Sequence, residues 1–241
     1  MTTNKHVIVT GAAGGIGTQL VHDLLDRGYN VTAIDALQDR LEVLQQGVSR
    51  EILPLAANIT DSSQVNEAVT TAIQHFGEPY GLLNLAGDNR LKGVEELSDE
   101  DWRYLLDVNL TSTFYMCRAV MPTMGSGARV VNTASIFGIR GAANDVGYSA
   151  AKAGVVGLTR ALATDFGPRN ITVNCVAPVV VLTDRVRKMP AEHLEVQRQR
   201  IPLGRFSEAT DVTRTFLFLL SDDGGFYTGQ TFSPNGGDTM P

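Results

Sequence analysis

Residues 6–17 read HVIVTGAAGGIG and contain the strongest structural signal in this 241-residue chain. Apart from His6, the first five residues are apolar or β-branched, which is typical of a strand buried on both faces. Four glycines follow within seven residues, and a helical pattern begins at Gly15. Glycines at such a turn let the backbone approach a ligand closely, while the helix N-terminus offers N–H groups to phosphates. A glycine-rich turn without a ligand is the plainer alternative.

Short β-branched runs and helical patterns alternate along the rest of the chain. Strands are predicted at 6–10, 29–34, 51–55, 81–84, 128–135, 171–177 and 229–234, and helices at 15–27, 62–76, 101–121, 148–166 and 209–220. This alternation requires parallel strands joined by right-handed helical crossovers. We therefore predict an α/β fold, a Rossmann-like, doubly wound, seven-stranded parallel sheet with helices on both faces. Residues 1–241 are expected to form one domain, with ligands at the carboxyl ends of the strands.

Composition narrows the classes of function. The formal net charge of −6 argues against nucleic acid as a partner, because phosphate contacts need clustered Lys and Arg. No window approaches the ~20 apolar residues that span a bilayer, and no signal-peptide pattern is visible, so a cytoplasmic location and no membrane partner are expected. Cys117 and Cys175 lie in apolar stretches, which indicates buried thiols. No metal-ligand spacing occurs, so no metal is expected.

The second predicted strand leads to Asp35, 18 residues beyond Gly17. This spacing fits the acidic residue that accepts hydrogen bonds from the ribose hydroxyls of a dinucleotide. A carboxylate at this place can equally cap the next helix. A ribose-binding Asp35 would repel the 2′-phosphate of NADP, and the glycine turn carries Ala12 and Ala13 rather than a cation, so NAD is the expected cofactor. Arg40 is the nearby cation that weakens this argument.

Three side chains suggest proton-transfer chemistry. Tyr148 and Lys152 are four residues apart in a predicted helix and therefore share a face. A nearby ammonium stabilises a phenolate and lowers the tyrosine pKa from about 10, so the phenol can exchange a proton with an alcohol or carbonyl oxygen. Ser135 ends a predicted strand and can bond the same oxygen. Taken singly, these residues are an ordinary helical pair and a turn serine.

Together the motifs resemble the short-chain dehydrogenase/reductase family in its compact single-domain form. The resemblance covers essentially the whole chain and rests on TGAAGGIG (10–17), NLAG (84–87), DVNLTSTF (107–114), VNTAS (131–135), YSAAK (148–152), APVVVLTD (177–184) and TGQTFSPNGG (228–237). It implies an NAD-dependent alcohol dehydrogenase or ketoreductase that transfers hydride between nicotinamide and a secondary alcohol or ketone. The alternative is a catalytically idle NAD-binding sensor or scaffold, which would be free to lose Ser135, Tyr148 or Lys152.

The resemblance also implies a role for each matching residue. Tyr148 is the acid/base, Ser135 holds the substrate oxygen, and Asn109 holds a water in a proton relay with Lys152. The implied cofactor-binding residues are Gly11, Ala13, Gly14, Gly15, Ile16, Gly17, Asp35, Asn58, Ile59, Asn84, Ala86, Gly87, Tyr148, Lys152, Pro178, Val181 and Thr183. The chain departs from the family pattern at Asn58, at Leu85, and at Val179, where a glycine normally follows the proline and the path of the turn is therefore expected to differ.

Substrate contacts are expected after the fourth, fifth and sixth strands. The candidates are Ile136, Phe137, Asn144, Val180 and Arg187, and residues 184–204 are expected to form a lid. The charges of this lid can meet a substrate carboxylate or phosphate, or they can be the solvated face of an amphipathic helix. The substrate classes left open are 3-oxoacyl thioesters, cyclic or aromatic secondary alcohols and diols, and sugars.

Self-association is expected as well. Large apolar residues occur along 101–121, and small ones follow one another in 148–166. A helix packed only on a sheet needs one apolar face, and small residues on another face permit close approach of a partner helix. Together with the family resemblance, this pattern predicts a homo-oligomer, a tetramer with two-fold symmetry.

Overall fold

The computed structural model describes residues 4–48, 50–189 and 191–240, without the side chains of Asp184, Arg185 and His193. The strands are β1 (His6–Thr10), β2 (Asn30–Asp35), β3 (Ile52–Ala56), β4 (Pro79–Asn84), β5 (Arg129–Thr133), β6 (Thr172–Val176) and β7 (Thr231–Phe232). Within the described residues they form one parallel sheet in the order β3-β2-β1-β4-β5-β6-β7. The predicted seven-stranded, doubly wound architecture is confirmed.

Helices cover both faces of this sheet. They are α1 (Gly15–Asp26), α2 (Gln38–Gly47), α3 (Ser62–Phe76), α4 (Asp99–Leu106), α5 (Ser112–Val120), α6 (Ile136–Arg140), α7 (Val146–Phe166), α8 (Asp184–Arg187), α9 (Ala191–Gln199) and α10 (Ala209–Leu220), with a π-helical turn at Asp107–Thr111 between α4 and α5. Successive side chains of β1 point to opposite faces. Val7 and Val9 join the core beneath α1, α2 and α10, whereas Ile8 joins the core beneath α3, α5 and α7.

Two predicted elements differ from the structure by more than a shift of one or two residues at their ends. The helix expected over 101–121 begins at Asp99, because Ser98 caps it by accepting a hydrogen bond from the Asp101 N–H, and its middle is the π-helical turn. The strand expected over 229–234 is reduced to Thr231–Phe232. Gly229 has a φ of +70°, outside the strand region, and Pro234 has no N–H to donate, so pairing ends on both sides.

The topology gathers several strand ends at one place. The strand order reverses between β1 and β4, and the carboxyl ends of β1, β4, β5 and β6 meet at one edge of the sheet. This edge is the usual ligand site of doubly wound sheets. Both thiols, Cys117 and Cys175, are buried as predicted. No helix within the described ranges is long and apolar enough to cross a membrane.

Candidate active site

Close backbone contacts explain the glycines after β1. Gly11 has a φ of +65°, and a Cβ there would lie 2.8 Å from the Ala86 Cα. A Cβ on Gly15 would lie 2.7 Å from the Thr183 Cγ2, so the segment after β6 rests directly on the turn. The first turn of α1 has no side-chain cap at Gly14, which leaves its N–H groups free of a side-chain acceptor. A cradle of this shape fits the pyrophosphate of a dinucleotide.

Asp35 lies against the same turn. Its Oδ2 accepts a hydrogen bond from the Ala13 N–H at 3.1 Å, and its Oδ1 accepts one from the Leu37 N–H at 3.2 Å. Both oxygens keep further lone-pair capacity, because a carboxylate accepts about four hydrogen bonds. The carboxylate is therefore held at the end of β2, beside the glycine turn, where it can accept hydroxyl hydrogen bonds.

Ser135 and the Lys152 ammonium both lie at the carboxyl end of β5, and Tyr148 precedes Lys152 by one turn of α7. Ser135 lies just past the strand and caps α6, since its Oγ accepts a hydrogen bond from the Phe137 N–H at 3.2 Å. That bond leaves the hydroxyl proton available for another oxygen. On α7, the Lys152 Nζ lies 5.5 Å from the centre of the Tyr148 ring and donates to the Thr133 carbonyl at 2.9 Å. Lys152 is buried, and burial lowers its pKa to about 8.

Tight packing of α6 on α7 fixes these groups relative to each other. A Cβ on Gly138 would lie 2.6 Å from the Lys152 carbonyl carbon and 2.8 Å from the Ala153 nitrogen. Only a residue without a side chain fits at this crossing. The helix that Ser135 caps is thereby held against the turn of α7 that contains Lys152.

Asn109 belongs to the π-helical turn and is fully buried. Its Nδ2 donates to the Asp88 carbonyl at 2.8 Å and to the Leu105 carbonyl at 3.0 Å. Its Oδ1 is buried and has no partner within the described part of the chain. A Cβ on Gly87 would lie 2.6 Å from this oxygen and 3.2 Å from the Lys152 Nζ. The amide oxygen and the ammonium therefore border one small space, and this arrangement suits a bridging hydrogen-bonding group.

Two side chains predicted at the cofactor point elsewhere. The Asn84 amide is buried and donates to the Asn132 Oδ1 at 2.9 Å, and Asn132 donates to the Thr159 Oγ1 at 3.0 Å, so this amide braces the sheet against α7. The Asn58 Oδ1 accepts from the N–H and the hydroxyl of Thr60 and stabilises a turn. At Asn58, the groups that remain available to a ligand are the backbone and the amide N–H groups of the side chain.

The other predicted cofactor residues lie along the same edge. Ile16 packs on the core at the start of α1, Ile59 is buried after β3, and the Ala86 N–H donates to the Thr10 hydroxyl at 3.3 Å. The Pro178 carbonyl accepts a hydrogen bond from the Ile136 N–H at 3.2 Å, which ties the segment after β6 to the one after β5.

Val179 takes the place of the family's glycine without strain. The described non-glycine residues with positive φ are Asn4, Asn144 and Asn170, so Val179 has an ordinary backbone conformation. Its side chain is buried against Ile136, Ile201 and Phe206. Phe137, Val180, Leu182 and Leu194 pack around this cluster. The predicted substrate residues Ile136, Phe137 and Val180 therefore belong to an apolar wall that begins next to Ser135.

The predicted basic lid contains two surface ion pairs, whereas Lys188 and Arg200 are exposed and have no ion pair among the described side chains. Arg187, a predicted substrate residue, pairs with Glu208 at 3.3 Å on the surface. Arg198 pairs with Glu195 at 2.6 Å. Within 184–204, the described residues do not include Pro190 or the side chains of Asp184, Arg185 and His193. Asn144 is exposed, in the left-handed region, in the loop before α7.

Sequence comparison agrees with this geometry. The family model described as Enoyl-(Acyl carrier protein) reductase matches residues 11–239. The chain is 35% identical to the 3-oxoacyl-[acyl-carrier-protein] reductase FabG of Thermotoga maritima over 238 residues, 97% of each chain. It is 36% identical to the (2S)-[(R)-hydroxy(phenyl)methyl]succinyl-CoA dehydrogenase subunit BbsD of Thauera aromatica over 242 residues, 98% of this chain and 97% of that protein.

Structural comparison gives the same result. The short-chain dehydrogenase/reductase from Serratia marcescens BCRC 10948 superposes with a TM-score of 0.95 at 30% identity, covering 99% of both chains. The fold and the site define a nicotinamide-dependent oxidoreductase built on a Rossmann-like sheet. Among such proteins, the chain belongs to the short-chain dehydrogenase/reductase family.

Proposed function

We propose that the chain is an alcohol dehydrogenase or ketoreductase that interconverts a secondary alcohol and a ketone, with Tyr148 as acid/base. The observation that carries this proposal is the position of the Lys152 Nζ, 5.5 Å from the Tyr148 ring and bonded to the Thr133 carbonyl, two residues before Ser135. A nicotinamide cofactor supplies or accepts the hydride when bound. The protein must therefore hold the reacting oxygen and move one proton to or from it.

The side chains at this edge have the properties that the proton transfer needs. The Ser135 Oγ accepts from the Phe137 N–H, so its own proton can be donated to the substrate oxygen as charge develops there. The Tyr148 hydroxyl gives its proton to the same oxygen in reduction, or takes it in oxidation. The ammonium of Lys152, held by the Thr133 carbonyl, favours the phenolate form of its neighbour. The Asn109 Oδ1 and the Lys152 Nζ together can hold a water that returns the proton to solvent.

The apolar wall next to Ser135 favours some of the open substrate classes over others. Ile136, Phe137 and Val180 form an apolar surface, and Arg187 is engaged with Glu208. An apolar surface favours an acyl chain or a ring over a sugar, whose hydroxyls would lose hydrogen bonds to water. The two relatives above are named for substrates linked to acyl carrier protein or to CoA. Of the open classes, we therefore propose a 3-oxoacyl thioester or its hydroxy form, with 184–204 closing over it.

NAD is proposed as the preferred cofactor. The carboxylate of Asp35 lies beside the glycine turn, bonded to the Ala13 N–H, and this position supports a role in binding a ribose. Its charge would oppose a 2′-phosphate there. No ion pair to Asp35 occurs within the described residues, and Arg40 is exposed.

The whole chain is proposed to act as one domain within a homotetramer. Members of the family commonly oligomerise. On α7, Ala153 and Gly157 are exposed, and nothing lies within 4 Å of a Cβ built on Gly157. This open, small-residue face suits a second copy of the helix.

A substrate panel with the Tyr148→Phe variant tests the proposed function. Acetoacetyl-CoA, cyclic ketones, aromatic ketones and a keto sugar are assayed with NADH by its absorbance, and the matching alcohols with NAD. Turnover of the thioester is expected, and Tyr148→Phe should lower kcat by about 10²- to 10⁴-fold while NADH binding, read by fluorescence, is kept. A variant that retains most of its kcat refutes the acid/base role. NADH binding without turnover of any compound by the wild-type chain would favour the idle sensor or scaffold instead.

A further inference from the structure

A buried carboxylate lies next to the site and has no part in the proposed reaction. Asp145 directly precedes α7, and 1% of its surface is exposed. Its Oδ2 accepts a hydrogen bond from the Asn89 Nδ2 at 3.1 Å. Its Oδ1 is buried and has no hydrogen-bond partner in the described ranges. Burial raises the pKa of this carboxyl group above its usual value. A carboxyl group so weakly compensated is costly to bury, so it is not there for stability alone.

Helix capping does not account for Asp145. A residue at the N-cap usually accepts a hydrogen bond from an N–H in the first turn, but the Asp145 side chain makes no such bond. The side chain turns instead to the loop that follows β4. The backbone strengthens this contact, since Lys92 pairs with Asp145 in an isolated parallel bridge.

The same loop is held from its other side by the π-helical turn. The Asp88 carbonyl accepts from the Asn109 Nδ2 at 2.8 Å, and the Asp88 carboxylate accepts from the Tyr104 hydroxyl at 2.9 Å. The next residue is Asn89, which donates to Asp145. Two consecutive loop residues therefore connect the turn that carries Asn109 to the first turn of α7.

We propose that Asp145 is a positioning residue whose bond to Asn89 fixes the first turn of α7, and with it Tyr148, relative to Asn109. This inference rests on the acid/base role proposed for Tyr148. A shift of about 1 Å between reacting groups can cost about 10²-fold in rate, so one contact at this junction can limit turnover. The glycine turn and Asp35 lie further along the sheet edge, so NAD binding is expected to depend on the contact less than turnover does.

Exchanging the side chains of Asn89 and Asp145 tests the positioning role of Asp145. Asn89→Asp sets two carboxylates against each other, and Asp145→Asn buries surplus amide N–H groups. Each single variant is expected to lower kcat about 10- to 100-fold, with the KM for NAD changed less than about twofold. In the double variant the donor and the acceptor exchange places, so kcat is expected to recover at least about fivefold over Asn89→Asp.

Asp23→Asn is the matched control. This half-buried carboxylate joins α1 to α10, away from the loop after β4, and accepts from the Thr213 hydroxyl at 2.6 Å and from the Gln19 Nε2 at 2.9 Å. Its loss is expected to lower the melting temperature while kcat stays within about twofold of the wild-type value.

Amide hydrogen exchange of residues 149–152 gives a readout that needs no turnover. The single variants should exchange faster there, and the double variant should restore protection. Wild-type kcat in both single variants, or no recovery of kcat and protection in the double variant, would overturn the positioning role. If the wild-type chain turns over no compound, the proposed function fails instead, and the exchange data alone decide whether Asp145 fixes the helix.

Discussion

Burial and neighbouring groups set the protonation behaviour of single residues at this site, and Lys152 is the clearest case. Lys152 makes a hydrogen bond to the Thr133 carbonyl but no ion pair within the described residues, although it is almost wholly withdrawn from water. Because burial disfavours the charged ammonium, the pKa of Lys152 falls to about 8. An amine with this pKa can both stabilise a neighbouring phenolate and exchange its proton near neutral pH.

The buried lysine predicts a pH-dependent stability. The unfolded chain keeps this proton up to about pH 10.5, whereas the folded chain releases it near pH 8. Stability due to Lys152 should therefore rise between about pH 8 and 10.5, and below pH 8 the full cost of about 3 kcal/mol is present. Urea unfolding of wild type and Lys152→Met, compared from pH 7 to pH 10, measures this. A difference in unfolding free energy that does not change over that range contradicts the prediction.

Asp35 predicts the choice of cofactor. Because its carboxylate would lie beside a 2′-phosphate, kcat/KM for NADH should exceed that for NADPH at least ~100-fold, equivalent to about 2.7 kcal/mol. Asp35→Ala should narrow this gap, mostly by improving the use of NADPH. Asp39→Ala, one turn along on the exposed surface of α2, is the control and should leave the ratio unchanged. Equal use of both cofactors by the wild-type chain would remove Asp35 from the ribose site.

Among the secondary-structure elements, those with a periodic sequence pattern were predictable from sequence, and the irregular ones were not. The helices Ser62–Phe76 and Ala209–Leu220 have the predicted bounds, because amphipathic patterns and end residues such as Asp61 are local signals. The π-helical turn has no such signal, since it depends on where the Asn109 amide finds its acceptors. The partner of the Asn84 side chain could not be foreseen for a similar reason, because Asn132 comes from the neighbouring strand. The burial of Asp145 against Asn89 also could not be foreseen from sequence.

The crossing of α6 and α7 makes a prediction about packing. In Gly138→Ala the new methyl group would press on the backbone of α7 at Lys152, which has no room to move aside. A loss of about 1–3 kcal/mol in unfolding free energy is expected, with kcat reduced because Ser135 shifts from Tyr148. Gly47→Ala, where a Cβ meets nothing within 4 Å, is the control and should be neutral or slightly stabilising. Equal stability of the two variants would show that the crossing is loose.

At the scale of the whole molecule, some of the small residues on α7 serve the interior rather than a partner. Ala151 is fully buried, and a Cβ on Gly154 would press on Leu110, so neither can belong to an outer face. Ala153 and Gly157 remain exposed. The predicted contact between copies is therefore narrower than the sequence suggested, a stripe formed by Ala153 and Gly157.

This stripe gives a test of assembly. The single chain can accommodate a long side chain at Gly157, but a second copy packed on it cannot. Light scattering should find a tetramer for the wild-type protein, and Gly157→Gln should shift the population to smaller species with little change in the far-ultraviolet circular dichroism. Gly47→Gln is equally unhindered in the single chain and should not alter the mass. A wild-type monomer at micromolar concentration contradicts the proposed tetramer.

The two buried cysteines have a consequence for how the molecule opens. Burial raises the pKa of the Cys117 thiol to about 12, and burial also raises that of Cys175. Near neutral pH both thiols therefore stay protonated, so an alkylating reagent meets almost no thiolate in the closed molecule. Exposing Cys117 requires α5 to lift from the sheet, whereas exposing Cys175, which packs with Val155, requires α7 to lift. The rates at which the two thiols are alkylated should therefore report separately on the opening of α5 and of α7.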